Sequence, residues 1–543
     1  MTDARIGYPS PDDTPRTTNL AHLLRRTARH LGERPALMQG EDHRTWGELD
    51  AEVDALAAGL QARGLQRGDR VLVHSPNRIE MVTAMFAIMR AGGVYVPVNV
   101  RSTPADVAVL AEICQPRMQL CHVVDPAPAA AVTDTVTVES SLWIGGDATD
   151  KQSVRHLIEH HRGSSPAEPP CRRGDPAWFF FTSGTTGRPK AAVLTHDQMA
   201  FVVTNHLTDL MPDLDEHDAS LVVAPLSHGA GIHLLVQVAR GARSVLLPSD
   251  RFDVEHACRL IERERITNLF TVPTILNLLV ACPVMEQVDR SSLRQVIYAG
   301  APMYRADQER AMDVLGEVLV QYYGLGEVTG AITVLPPHLH DRPVPEGMEI
   351  GTCGIERTGM QVSIQDDAGT ELAPGESGEI CVSGPAVCAG YFEAPEANAD
   401  AFRDGWFRTG DIGLIDEEGF VYITGRRSDM YISGGSNIHP REIEEKLLRH
   451  PELQEAAVLG VPDPRWGEVG MAICVREPGS TLEEEELLLW LREHIAAYKV
   501  PKRTVFWDAL PRSGYGKVTK NLLRQELEQR GQLDGAGDRA VTS

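Results

Sequence analysis

A chain of 543 residues exceeds what one hydrophobic core normally organises, so at least two domains with room for a buried active site are expected, rather than a small binding module. With 42% hydrophobic and 24% charged residues it has the composition of a folded protein, and only the polar or Gly-rich ends look unable to pack. Lys plus Arg number 52 against 76 Asp plus Glu, a formal net charge of −24, which argues against nucleic acid or an anionic membrane surface as a partner. A small polyanion is admissible only where a local cradle of backbone N–H groups and cations overrides that field.

The nine cysteines (Cys114, Cys121, Cys171, Cys258, Cys282, Cys353, Cys381, Cys388 and Cys474) are scattered and show no CxxC spacing. That pattern argues against a disulfide framework or zinc site and fits a reducing cytoplasm. Met1–Ser10 carries no apolar signal core, and no stretch approaches 18 consecutive apolar residues, so neither secretion nor a membrane span is expected.

In chain order, apolar residues recur at helical spacing from Leu20 to Leu65, and Arg70–His74 then reads as a short buried strand followed by a helix over Glu80–Arg90. The β/α rhythm returns at Ala177–Thr182, Ser220–Ala224, Arg243–Leu247, Asn268–Val272 and Gln295–Ala299, which predicts α/β layers with largely parallel strands. After about Pro336 the texture changes to Pro/Gly punctuation and short alternating segments. Gln361–Gln365, Gly378–Val382 and Phe420–Thr424 predict antiparallel strands in a smaller β-rich lobe. A helix over Pro440–Leu448, strands over Ala456–Val461 and Ala472–Arg476, and a long amphipathic helix over Leu482–Tyr498 predict a small α+β domain. The charged run Arg426-Arg427-Ser428-Asp429 marks the boundary and a candidate hinge, dividing 1–425 from 426–543. The fold class is therefore α/β, with a large N-terminal region of layered subdomains plus a β-rich lobe, and a small mobile α+β C-terminal domain.

The most informative segment is the aromatic run Trp178-Phe179-Phe180-Phe181 leading into Thr182-Ser183-Gly184-Thr185-Thr186-Gly187-Arg188-Pro189-Lys190. Gly184 and Gly187 permit backbone geometries in which successive N–H groups face an anion, the hydroxyls donate further hydrogen bonds, and Lys190 brings charge. The chemistry suits a nucleoside triphosphate. It is not a Walker loop, because Arg188 and Pro189 separate the second glycine from the lysine. An ordinary strand-to-helix turn is the competing reading, since Gly/Ser/Thr clusters are common in loops.

Phe181–Lys190, followed by Ala191-Ala192-Val193-Leu194-Thr195-His196, resembles the signature loop of the adenylate-forming (AMP-binding) superfamily: acyl-CoA synthetases, peptide-synthetase adenylation domains and firefly luciferases. Further matching runs follow in order: Gly300-Ala301-Pro302, Tyr323-Gly324-Leu325-Gly326-Glu327, Gly375-Glu376-Ser377-Gly378-Glu379, Trp406–Asp411, Gly425-Arg426 with Gly434-Gly435, and Pro511–Lys517. Several motifs in one order are far more specific than any one of them. The resemblance implies a large layered N-terminal region and a small domain that rotates about Arg426–Asp429, with ATP, Mg²⁺ and coenzyme A as the cofactors.

By that resemblance Lys517 is the catalytic lysine that reaches the substrate carboxylate and the α-phosphate, and Glu327 is the Mg²⁺-linked glutamate. Thr182, Ser183, Gly184, Thr185, Thr186 and Lys190 grip phosphates. Gly300, Ala301, Pro302, Tyr322, Tyr323 and Gly324 border the adenine pocket, with Tyr323 offering its ring face. Asp411 accepts from the ribose hydroxyls and Arg426 contacts ribose or phosphate, although the two could instead neutralise one another across a hairpin. Gly326 departs from the family, which usually has Thr there, so one hydroxyl donor to the α-phosphate is missing.

Pro225-Leu226-Ser227-His228-Gly229-Ala230-Gly231 matches the loop whose His or aromatic residue gates the carboxylate, which makes His228 a pocket candidate, with a histidine that merely caps loop backbone as the alternative. Amino-acid-activating relatives carry an Asp in this loop. No acid occurs between Pro225 and Arg240, so an uncharged aryl or acyl carboxylic acid is expected beside Ile232, Leu234 and Leu235. His156, Glu159, His160 and His161 look like a metal cluster, but a polar loop explains them better. Gly434 and Gly435 would border the pantetheine arm. The expected activity is an ATP-dependent, AMP-forming acid–CoA ligase. The alternatives are a stand-alone ligase that loads a carrier-protein pantetheine thiol or an amine, and a nucleotide-binding protein without turnover.

Overall fold

The computed structural model describes residues 17–182, 188–301, 303–344, 350–512 and 518–533. Two large sheets form the N-terminal region. The first has the strand order Ser140–Ile144, Met118–His122, Arg70–His74, Val94–Val98, Pro176–Thr182, Lys190–Thr195. Its pairs are parallel except the last, an antiparallel hairpin. Val94–Val98 and Met118–His122 are buried along their whole length, as continuous apolar runs covered on both faces require.

The second sheet begins with parallel strands: Pro35–Gln39, Arg243–Leu246, Ala219–Val222, Asn268–Thr271, Gln295–Tyr298 and Leu319–Tyr323. At Leu319–Tyr323 it turns antiparallel and continues through Thr333–Leu335, Gly354–Glu356, Phe420–Arg426, Trp406–Ile415, Gly378–Ser383 and Gln361–Gln365. The β-rich lobe is thus antiparallel as expected, yet it extends the parallel sheet edge to edge. Backbone N–H and C=O groups left open on the edge strand find partners there instead of facing solvent.

The third sheet runs Ser436–Ile438, Tyr431–Ser433, Gly467–Arg476, Leu453–Asp463, with Arg503–Phe506 parallel to Gly467–Arg476. Helices Pro440–Leu447, Glu484–His494 and Lys520–Gln529 accompany it. Two apolar clusters, one around Val458 and Leu487 and one around Val469, Trp507 and Leu523, contain only residues from Tyr431 onward.

Three sequence expectations need correcting. The helical spacing of Leu20–Leu65 hides two helices, His22–Leu31 and Trp46–Ala62, separated by the hairpin Pro35–Gln39/Asp42–Thr45. Pro35 cannot continue a helix, and Gly40 turns the hairpin at φ +62°. The helix expected over Leu482–Tyr498 is Glu484–His494, because Ile495 is extended. His156, Glu159 and His160 lie on the helix Val154–His160, not a loop. Among the described residues no three His, Cys, Asp or Glu groups are placed to hold a metal. The nine cysteines are free, eight of them buried.

The C-terminal unit meets the N-terminal region on one face. Tyr304 Oη donates to Glu444 Oε2 (3.3 Å) and the backbone N–H of Arg305 to Glu445 Oε2 (3.3 Å). Arg512 Nη1 donates to Thr274 Oγ1 (3.1 Å).

Candidate active site

The aromatic run forms the strand Pro176–Thr182, which pairs with Lys190–Thr195 in the register Thr182 to Lys190 and Phe181 to Ala191. The aromatic strand is thus paired antiparallel with a returning strand, and the next helix begins only after that strand. Ser183, Gly184, Thr185 and Thr186 lie outside the described residues, as do Pro302 and Lys517. Thr195 ends the returning strand and caps the helix His196–Asp209 through a reciprocal box with Gln198, which anchors the hairpin's base.

Glu327 sits on the short 3₁₀ turn Gly326–Val328, only 5% exposed. Its Oε1 accepts from Thr182 Oγ1 (2.9 Å) and from Tyr391 Oη (2.8 Å). Lys190 Nζ lies 5.0 Å from the centre of the Tyr391 ring. The Thr182 hydroxyl and the Tyr391 hydroxyl thus meet on the Glu327 carboxylate, with the Lys190 cation on the Tyr391 ring. Burial, reinforced by the Glu327 charge, pushes the Tyr391 hydroxyl far above its ordinary pKa, so it remains a donor. Tyr391 escaped the sequence reading. Its only local signal is the preceding Gly390, at φ +122°.

Gly326 is explained by its surroundings. A Cβ there would stand 2.5 Å from Phe180 Cε1 and 3.1 Å from Thr182 Cγ2. The Phe180 ring occupies the space a threonine would need, and it also neighbours the His228 ring, with centroids 4.7 Å apart and planes 57° apart. His228 is the N-cap residue of the helix Gly229–Arg240, and its side chain makes no capping hydrogen bond to that helix. The glycines that follow answer to packing. A Cβ on Gly229 would come 2.7 Å from the Phe270 ring, and one on Gly231 2.7 Å from Trp178 Cη2.

Tyr322 belongs to an aromatic stack with Phe270 (centroids 5.9 Å, planes 14° apart) and His233, which itself lies 4.4 Å from Phe270. Burial lowers the His233 pKa to about 3 and drives His206 well below its ordinary value, so both rings are neutral. Behind the stack Arg357 is fully buried, donates to the Gly330 carbonyl (3.2 Å) and pairs with Asp209 at 3.5 Å.

Tyr323 Oη donates to Asp411 Oδ2 (2.6 Å) and Arg426 Nε to Asp411 Oδ1 (2.9 Å). Asp411 and Arg426 face each other directly in register, so the mutually neutralising pair does form. The Asp411 charge raises the Arg426 pKa. Each carboxylate oxygen still has a second lone-pair site for another donor. Among the described residues, only Val272 Cγ1 comes within reach of a Cβ on Gly300, at 3.7 Å. Ala301 is half-buried, and Gly324 packs against the Gly330 backbone. Gly434 and Gly435 form the turn between Tyr431–Ser433 and Ser436–Ile438, at φ +57° and +84°, with Gly434 N–H donating to the Trp466 carbonyl (2.9 Å). They stand on the third sheet, apart from the Glu327 cluster in the fold. Arg512 binds Glu455 Oε2 (2.6 Å), and Lys520 pairs with Glu444.

Residues 24–392 match the family model described as AMP-binding enzyme, and residues 442–517 match AMP-binding enzyme C-terminal domain. A feruloyl-CoA synthase of Amycolatopsis sp is 36% identical over 506 residues, covering 92% of this chain and 98% of that protein. An indoleacetate–CoA ligase of Aromatoleum aromaticum is 33% identical over 500 residues, covering 92% and 96%. Among solved structures, ATP-bound MatB from Rhodopseudomonas palustris superposes with a TM-score of 0.83 at 32% identity, covering 94% of this chain and 99% of that one. The amide bond synthetase McbA from Marinactinospora thermotolerans does so with a TM-score of 0.83 at 28% identity, covering 93% and 99%. The chain belongs to the AMP-binding enzyme family, the adenylate-forming superfamily, in its acyl-CoA synthetase branch. Its catalytic class is that of an ATP-dependent, AMP-forming acid–thiol ligase.

Proposed function

We propose that this chain joins an uncharged aryl or acyl carboxylic acid to AMP, using ATP, and then passes the acyl group to the thiol of coenzyme A. The observation that carries the reading is the convergence of Thr182, Lys190 and Glu327 at the mouth of the phosphate hairpin. Relatives named as acid–CoA ligases, aligned over 92% of the chain, support it.

In the first half-reaction a carboxylate oxygen attacks the α-phosphorus and the bond to pyrophosphate breaks. Negative charge builds on the phosphoryl oxygens, and fixed cations held nearby lower the barrier. Lys190 is one such cation. Lys517, by its motif, is the other, donating to the carboxylate and α-phosphate oxygens. Asp411 accepts from the ribose hydroxyls on its unused lone pairs. In the second half-reaction the thiol sulfur attacks the acyl carbon and the bond to AMP breaks. Gly434 and Gly435 offer a turn without side chains for the pantetheine arm, brought round by rotation of residues 426–543 about Arg426–Asp429.

The donors present fit Mg²⁺. Glu327 is a hard carboxylate, and among the described residues both of its hydroxyl donors fall on Oε1, which leaves Oε2 for a cation. When bound, Mg²⁺ neutralises charge on the triphosphate. His233 and Phe270 make a neutral, flat wall for the acid, with Tyr322 stacked beside them toward the adenine side, and no carboxylate between Pro225 and Arg240 is present to hold an ammonium. The reading places the enzyme in the cytoplasm, where its free cysteines stay reduced, with no nucleic-acid partner. The fold likeness to an amide bond synthetase supports a second reading, in which an amine takes the acyl group instead of the thiol.

The test is pyrophosphate release across a panel of carboxylic acids, with products identified in the presence and absence of CoA. At least one aryl or acyl acid should release pyrophosphate and yield a CoA thioester, and Lys517→Ala should slow that release by about 10²-fold or more. No acid-dependent release, or an unaffected Lys517→Ala variant, sinks the assignment. An amide in place of the thioester establishes the second reading.

A further inference from the structure

The segment from Cys388 to Phe392 is stitched to the edge of the phosphate hairpin. Val193 N–H donates to the Gly390 carbonyl (2.9 Å), while the N–H groups of Ala389 and Phe392 donate to Val193 (3.0 Å) and Ala191 (2.9 Å). Cys388 N–H reaches across to the Glu327 backbone carbonyl (2.7 Å). The Asn398 side chain grips the Tyr391 backbone from both sides, accepting from its N–H (2.6 Å) and donating to its carbonyl (2.9 Å). The Tyr391 ring, 8% exposed, is thereby fixed between Lys190 and Glu327.

We propose that Tyr391 is a positioning residue for adenylation: its hydroxyl, with that of Thr182, holds Glu327 Oε1 so that Oε2 is presented to the cation, and its ring face steadies Lys190 over the same phosphate chain. The inference rests on the reading of Glu327 as the metal-linked carboxylate. A carboxylate with two hydroxyl donors on one oxygen keeps a single orientation, whereas one donor lets the group swing about its last torsion. A lysine above an aromatic face is drawn to it without losing its charge or its remaining donors.

Tyr391→Phe keeps the ring and removes the hydroxyl. Mn²⁺ binding, followed by paramagnetic resonance with a non-hydrolysable ATP analogue, is compared with the Mg²⁺ dependence of pyrophosphate release. The expected result is a roughly tenfold rise in the half-saturating metal concentration in both measurements, with the KM for the acid unchanged. Asn398→Ala, which loosens the backbone grip and leaves the hydroxyl in place, should shift the metal dependence in the same direction by less, and it decides the matter if the Phe variant does not fold. Unchanged metal binding in a folded Tyr391→Phe variant, or in Asn398→Ala when that is the variant available, overturns the proposal. If the wild-type protein releases no pyrophosphate with any acid, the functional reading fails. The Mn²⁺ titration needs no acid and still scores the role of Tyr391.

Discussion

Phe180 stands in the place that a side chain on Gly326 would take, with its Cε1 2.5 Å from a Cβ built on that glycine. The missing family hydroxyl is therefore one half of a pair of sequence features, the other being an aromatic ring two residues before the phosphate loop. Gly326→Thr should cost about 1–3 kcal/mol through overpacking and lower both the melting temperature and adenylation. Phe180→Leu in the same background should restore part of each. A thermal and kinetic double-mutant cycle measures the coupling. Equal losses in both backgrounds would show that the ring and the glycine are independent.

Tyr323 and Arg426 together occupy one site on each Asp411 oxygen. Tyr323→Phe removes the shorter of the two bonds and frees the carboxylate to turn away from a ribose. The KM for ATP should rise by roughly threefold to tenfold, the worth of about one hydrogen bond, with the KM for the acid unchanged. Steady-state kinetics with each substrate varied in turn checks this, and an effect confined to the acid would contradict the placement.

Asp209 compensates Arg357, which is 1% exposed and whose pKa is pushed down to about 10 by burial. Asp209→Ala leaves that cation uncompensated and should destabilise the N-terminal region by about 3–5 kcal/mol. Replacing both partners, Asp209→Ala with Arg357→Met, should cost less than the single change. Denaturant unfolding of the three proteins provides the comparison.

Glu445, 3% exposed where the C-terminal unit meets Arg305, has its pKa pushed up to about 7 by burial, against the opposing charge of Arg441. A carboxyl that holds its proton more tightly when folded makes the native state bind more protons than the unfolded one between about pH 4.5 and 7. Its contribution to stability is present below that window and is lost as pH rises through it. Glu445→Gln should track the wild type near pH 4.5 and melt at a higher temperature than it above pH 7, a stability gain of at most about 3–4 kcal/mol. Melting curves across pH 5 to 8 test this, and a constant difference would refute it.

Much of the fold was legible because its strands are short apolar runs bounded by turn residues. Gln361–Gln365 was read to the residue, and Asn268–Thr271 and Gln295–Tyr298 to within one. The hairpin Pro35–Gln39/Asp42–Thr45 was not, because its few apolar residues also satisfy the helical spacing of the segments on either side. The helix ending at His494 was overextended for a related reason: apolar spacing continues past the point where packing stops, and Tyr498 is 55% exposed. In the candidate site, Thr182, Lys190, Glu327 and Asp411 could be nominated from ordered motifs. Tyr391 was not, because what distinguishes it is a contact with a residue 64 positions away.

The order of motifs from Phe181 to Lys517 by itself determined the family and its two-step chemistry and nominated the residues proposed to carry it, since phosphate loops and metal carboxylates require particular side chains at short local spacings. The tertiary structure alone decided why position 326 is glycine, which hydroxyls hold Glu327, and that Asp411 is paired with Arg426 and Tyr323. Those are matters of volume and hydrogen-bond geometry between segments distant in the chain, and neither quantity exists until the sheets have brought the segments together.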